Sequence, residues 1–157
     1  MRSARPVARQ RSREAALQVL YALDLSARGQ VAPPAEGAVR DAFEAVAAHF
    51  ELPEGARVFA EELVRGVCAR LPDLDQRLAL HAHRWRLERM AAVDRNILRL
   101  AAHELLVGDI PPAVAIDQAV ELARRFGSER SPAFVNGVLD GLARELAGGC
   151  AREEGAR

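Results

Sequence analysis

IPPAVAIDQAVELARRFGSERSPAFVNGVLDGLAR, residues 110–144, carries two amphipathic helical patterns separated by a turn. Pro111 and Pro112 end a loop and suit the first turn of a helix, where a missing N–H breaks no intrahelical bond. Ile116, Ala119, Val120, Ala123 and Phe126 follow at helical spacing as an inward face, with Glu121 and Arg125 as an exposed i,i+4 pair. Gly127 stands where a helix C′ residue belongs. Ser131 followed by Pro132 is an N-cap and first-position signal for a last helix burying Val135, Val138, Leu139, Leu142 and Leu146. Phe134 lies at the edge of that stripe, where a core ring and an exposed ring are both open. Gly137 and Gly141 predict the close approach of another helix, and Asn136 a structural hydrogen bond.

Upstream, the same period continues. Residues 91–107 place Val93, Ile97, Leu98, Leu100, Ala101 and Leu105 in several directions and leave only Arg95, Arg99 and His103 as a polar strip, the mark of a central helix. A first helix over residues 9–25 buries Ala16, Val19, Leu20 and Leu23. A second over 36–50 buries Phe43, Val46, Ala47 and Phe50. Pro53 opens a third, with Val58, Phe59, Leu63, Val67 and Leu71 spaced for burial, and Pro72 a short fourth. No strand pattern competes, and aromatics are few beside Ala and Leu, so the chain reads as all-α with about seven helices. The expected layout is a basic, partly flexible arm over 1–13, one helical domain over 9–147, and a flexible tail over 148–157.

Charge is unevenly placed. The formal net charge is zero, yet residues 1–13 hold five arginines and no acid, whereas residues 36–62 hold seven acids against Arg40 and Arg57. Positive charge at the start of a helix opposes its macrodipole, and a local rule broken this consistently calls for a functional demand, here a polyanion. All 22 residues in the Lys and Arg class are arginine, and there is no lysine. That follows from a GC-rich coding bias, and it excludes any lysine-dependent chemistry such as a P-loop or a Schiff base.

Catalytic groups are missing. Cys68 and Cys150 form no paired motif, His81 and His83 point to different sides of a helix, and no serine has a partnered histidine and acid. Neither a metal nor a cofactor is expected, and a binding protein is favoured over an enzyme. No apolar run is long enough to span a membrane and no secretory signal is recognisable. The arginine-rich start also fits an organellar transit peptide, but the helix it enters belongs to the domain pattern. Cytoplasmic placement is expected. On the first helix Arg13, Leu17 and Tyr21 share one side. Tyr21 is the only tyrosine, and either packs in the core or stacks on an unpaired base beside phosphate-binding arginines.

Three segments in this order, RQRSREAALQVLYALDLS (9–26), VDRNILRLAAHELL (93–106) and the opening stretch (110–144), resemble the NusB family of bacterial transcription antitermination factors. The third is the most specific, through AI-x-x-AVELA-x-x-FG and SP-x-FVNGVLD. The resemblance implies about seven helices in two packed bundles. It also implies binding of boxA-type single-stranded RNA from ribosomal RNA operon leaders, together with the small-subunit ribosomal protein NusE. Assembly with NusA, NusG and RNA polymerase follows indirectly. By motif matching, the RNA site implied comprises Arg5, Arg9, Arg11 and Arg13 of the arm, Tyr21, Asp94, Arg130 and Phe134. The NusE face is implied around Arg95, Arg99, His103 and Glu104. Gln10 interrupts a basic run, and Arg130 stands where relatives can carry an acid, which should strengthen RNA binding without NusE. Two alternatives stay open: the NusB-like module of an RNA cytosine methyltransferase, and a helical adaptor that binds only protein. A weak homodimer in the absence of NusE also stays open.

Overall fold

The computed structural model describes the backbone of residues 4–28, 32–53, 55–83 and 86–155, and the side chains from residue 8 to residue 149 within those ranges. It contains α1 (Ala4–Ala27), α2 (Glu36–Ala47), α3 (Ala56–Ala69), α4 (Leu71–His81), α5 (Ala92–Val107), α6 (Pro112–Phe126) and α7 (Ser131–Gly155). A 3-10 turn, Leu87–Arg89, precedes α5. The all-α class holds, with seven α-helices and no strand among the described residues. The chain divides into two compact units, Met1–Asp73 and Leu74–Arg157. No described helix is long and apolar enough to cross a membrane.

In the first unit α1 packs on α2 and α3. Its Ala, Leu, Arg and Gln content favours helix, and Pro6 falls in the first turn, so the backbone is helical from Ala4 instead of from the expected Arg9. Ala15, Ala16, Leu17, Val19 and Leu20 are each at most 4% exposed. Leu63, Val64 and Val67 of α3 and Val39 and Phe43 of α2 complete this core. Small residues let α1 and α3 approach closely. Ser12 Oγ lies 2.8 Å from the carbonyls of both Ala8 and Ala56, and its one proton is shared between them. The start of α3 differs from expectation. Gly55, at φ +85°, takes the left-handed turn that Pro53 alone does not provide, and the helix begins at Ala56. Val58 is 61% exposed because Ala8, Arg9 and Ser12 border an open groove there.

In the second unit α6 and α7 pack on each other and on α5. The central helix is as expected, since every residue from Asn96 to Leu105 is buried. The polar strip is not on a surface, however. Arg99 Nε and Nη2 each donate to one oxygen of Asp75 on α4 at 2.7 Å, and Nη1 donates to Asn96 Oδ1 at 3.3 Å. Arg95 donates to the carbonyls of Leu87 (2.8 Å) and Met90 (3.1 Å). His103 and Glu104 are buried as well.

Gly127 and Gly137 act differently from their sequence reading, whereas Gly141 marks the close approach of another helix as expected. Gly127 has an extended backbone, φ −90° and ψ −168°, and so is not a left-handed terminator. A Cβ there would lie 2.6 Å from Ser131 Cβ and Oγ and 2.7 Å from the Ala123 carbonyl, so close approach requires the glycine. The left-handed stop belongs to Gly108 at the end of α5, φ +75°. Gly141 meets the His81 ring, with Nδ1 2.9 Å from where its Cβ would be, while Gly137 faces open space. The turn into α7 starts at Ser128, whose N–H donates to Ser131 Oγ at 2.9 Å, in the manner of a capping box with serine in the acceptor role. Helix α7 then runs through Gly148 and Gly149 to Gly155, where a tail was expected. Helical glycine costs about 1 kcal/mol per residue, which weakens a helix of good formers without ending it. Phe126, expected inside, is 36% exposed with Arg125 over its ring at 5.4 Å, and Glu121 pairs with Arg124 instead of Arg125.

The bidentate Asp75–Arg99 pair is nearly sealed from water. Asp75→Ala leaves a guanidinium that cannot lose its charge, and should lower the unfolding free energy by about 3–5 kcal/mol in urea denaturation. A loss below about 1 kcal/mol would show that water reaches Arg99.

Candidate nucleic-acid interface

The first turns of α1 bring three of the arm arginines beside phenylalanines from the acidic stretch. The Arg9 guanidinium carbon lies 3.7 Å from the Phe59 ring centre, Arg13 5.7 Å from the same centre, and Arg11 4.4 Å from that of Phe50. These are cation–π distances. The helical period assigned both rings to buried stripes. Each is instead half-buried, with arginine over it. Phe50 lies beyond the end of α2, and Phe59 lies in the first two turns of α3 beside the groove. Only the packing of α1 on α3 tells what covers them, which is why periodicity alone missed them.

The three arginines have different remaining capacities. Arg13 is 7% exposed and is held by contacts beyond the Phe59 ring. Arg11 Nη1 pairs with Glu14 at 3.3 Å and Nη2 donates to the Glu51 carbonyl at 3.3 Å. Arg9 is exposed and, among the described residues, has no hydrogen-bond or ion-pair partner. It borders an open groove of about 510 Å³, lined also by Ser12, Gly55, Val58 and Phe59, with Glu62 as the acid at its edge. Arg5 lies outside the described side chains. Further along α1, Leu17 is buried and Tyr21 is 37% exposed, so the tyrosine ring is accessible to a ligand.

Deeper in the acidic stretch, Arg57 pairs with Glu61 and Glu44, and those hydrogen bonds raise its pKa above the ordinary arginine value. Its charge is spent locally.

The other expected residues belong to the second unit. Arg130 is exposed at the turn before α7, and Phe134 is half-buried in the first turn of that helix. Asp94 sits in the first turn of α5, where a carboxylate favours the helix dipole, and its Oδ1 is buried without a hydrogen-bond partner among the described residues. Of the four residues expected on a partner face, Arg99, His103 and Glu104 are buried and Arg95 is held by the backbone around Leu87–Met90. A one-sided strip on a helical wheel cannot reveal a carboxylate 24 residues away on another helix. Among the described residues no group of three His, Cys, Asp or Glu is placed to hold a metal ion.

This geometry separates two roles within one arm. Arg9→Ala should cost no more than about 1 kcal/mol of stability, the size of an exposed cation–π contact. Arg13→Ala should cost about 1–3 kcal/mol by removing buried packing and leaving its partners unsatisfied. Thermal unfolding of the two variants measures the difference, and equal losses would contradict it.

Residues 10–144 match the family model described as the NusB family. The transcription antitermination protein NusB of Solibacter usitatus (strain Ellin6076) is 47% identical over 138 residues, covering 88% of this chain and 90% of that protein. Among solved structures, NusB of T. maritima aligns with a TM-score of 0.74 at 33% identity, over 87% of this chain and 91% of that one. A crystal structure of the antitermination factors NusB and NusE in complex with double-stranded RNA aligns with a TM-score of 0.74 at 26% identity, over 88% of this chain and 97% of the matched chain.

Proposed function

The chain belongs to the NusB family, and on that premise we propose that it is an RNA-binding transcription antitermination factor. It takes up boxA-type single-stranded RNA from ribosomal RNA operon leaders together with NusE, and helps to assemble the antitermination complex with NusA, NusG and RNA polymerase in the bacterial cytoplasm. It works by binding, not by catalysis. The observation that carries this reading is Arg9, an exposed cation at the head of α1 with its hydrogen-bond donors unused. Arg11 adds charge beside it, Tyr21 offers a ring for an unpaired base, and Arg5, Asp94, Arg130 and Phe134 complete the proposed RNA residues.

Two details follow from the structure. Arg13 supports the arm more than it meets phosphate, because it is buried. The buried Arg99, His103 and Glu104 are not offered as NusE contacts, and Arg95 serves to tie α5 to the turn before it. Correspondence over 90% of the Solibacter relative favours the antitermination factor over the methyltransferase module. The protein-only adaptor is the reading that an RNA titration removes.

With Arg13 withdrawn, about two to four phosphates are neutralised, so log affinity for single-stranded RNA should fall with log salt at a slope of about −1.4 to −2.8. Fluorescence titration of boxA-type RNA at several salt concentrations, with and without NusE, measures this, and NusE should tighten binding. The solved NusB–NusE neighbour holds double-stranded RNA. A duplex of the same sequence is therefore the control: a Tyr21→Ala loss confined to the single strand supports base stacking, and an equal loss on both contradicts it. No binding of either RNA leaves the adaptor.

A further inference from the structure

Phe59 has no role in the RNA site so far, yet its ring is the surface on which Arg9 rests. The guanidinium carbon lies over the ring, 3.7 Å from its centre. A guanidinium is planar, and its five N–H groups point outward in that plane. Stacking on an aromatic ring uses the face of the group and leaves the edge donors for a bidentate phosphate contact. Arg9 spends none of those donors on the described protein, whereas Arg11 spends two on Glu14 and the Glu51 carbonyl. The ring is itself held: it lies on α3, whose Ala56 and Ala60 are buried, and Ser12 ties α1 to the Ala56 carbonyl. Arg13 borders the same ring at 5.7 Å.

We propose that Phe59 is a positioning residue for RNA binding. Its ring holds the Arg9 guanidinium in place before RNA arrives, so the ordering cost of a long side chain is met on folding and not on binding. This rests on the proposed RNA function of the arm. The ring need not touch RNA, and Glu62, at the edge of the same groove, opposes phosphate and limits it to the Arg9 side.

Ordering a flexible side chain costs enough that its loss should weaken binding about 2- to 10-fold. Phe59→Leu keeps apolar bulk but removes the ring, and should give that loss with a nearly unchanged salt slope, since Arg9 still reaches its phosphate. Arg9→Gln should reduce the steepness of the slope by about 0.7, one phosphate on a single strand. In the Arg9→Gln background Phe59→Leu should add nothing, and Phe59→Trp alone should restore wild-type affinity. The probe is a short boxA-type single-stranded RNA, with thermal unfolding of each full-length variant as the control for folding.

Wild-type affinity in a folded Phe59→Leu protein would overturn the proposal, as would a loss that persists without Arg9. If Phe59→Leu does not fold, the Phe59→Tyr and Phe59→Trp variants decide: both must bind as wild type, and a loss in either while folded overturns the proposal. An unaltered slope in Arg9→Gln, or no RNA binding by the wild type, removes the RNA reading of the arm and this inference with it. An effect of Arg9→Gln without any of Phe59→Leu removes the inference alone.

Discussion

Arginine cannot shed its charge, and this chain has no lysine. A histidine or lysine brought into an apolar interior can become neutral. An arginine must be solvated, paired or laid against an aromatic ring. Much of the molecule follows from how each guanidinium meets this condition. Arg99 enters the interior of its unit because Asp75 takes it from two directions, which fixes where α4 meets α5. Arg57 lies between Glu44 and Glu61, joining α2 to α3. Arg9, Arg11 and Arg13 lie beside the rings of Phe59 and Phe50. Of these, Arg9 alone meets the condition without using its donors on the described protein, and those donors are what an incoming phosphate needs.

The same constraint alters the meaning of the charge segregation. By sequence, the basic arm attracts phosphate and the acidic stretch repels it. In the folded first unit parts of both lie together, because α1 packs on α2 and α3. Glu51 supplies a carbonyl to Arg11, and Glu62 borders the groove beside Arg9. The acidic stretch therefore bounds the basic surface. In the first unit an acid thus stands at the edge of the groove beside Arg9, and the chain as a whole, with zero formal net charge, offers no general attraction for phosphate.

The class of fold was legible because helical periods repeat wherever a face is buried, and the central place of α5 was legible because its apolar residues point several ways. Boundaries and single roles were less so. Ser128 and Ser131 together make the turn into α7, and the sequence reading saw only the second. Gly127 is required by the hydroxyl and carbonyl near it, a contact no local pattern shows. The polar strip of α5 was matched to a partner face because the carboxylate that holds Arg99 lies on α4. For the candidate site, the arginines and Tyr21 were visible as residue types at helical spacing. The rings that sort those arginines were hidden, since Phe50 and Phe59 carry the same period as core residues.

On the proposed reading, Arg9 on α1 meets RNA while Arg99 serves only the fold. Arginine side-chain NMR on the full chain tests it most directly, following each Nε–H signal as boxA-type single-stranded RNA is added. The Arg9 signal should shift and become protected from solvent exchange as the RNA binds, while that of Arg99 stays where it is. RNA binding that saturates with the Arg9 signal unmoved would contradict it.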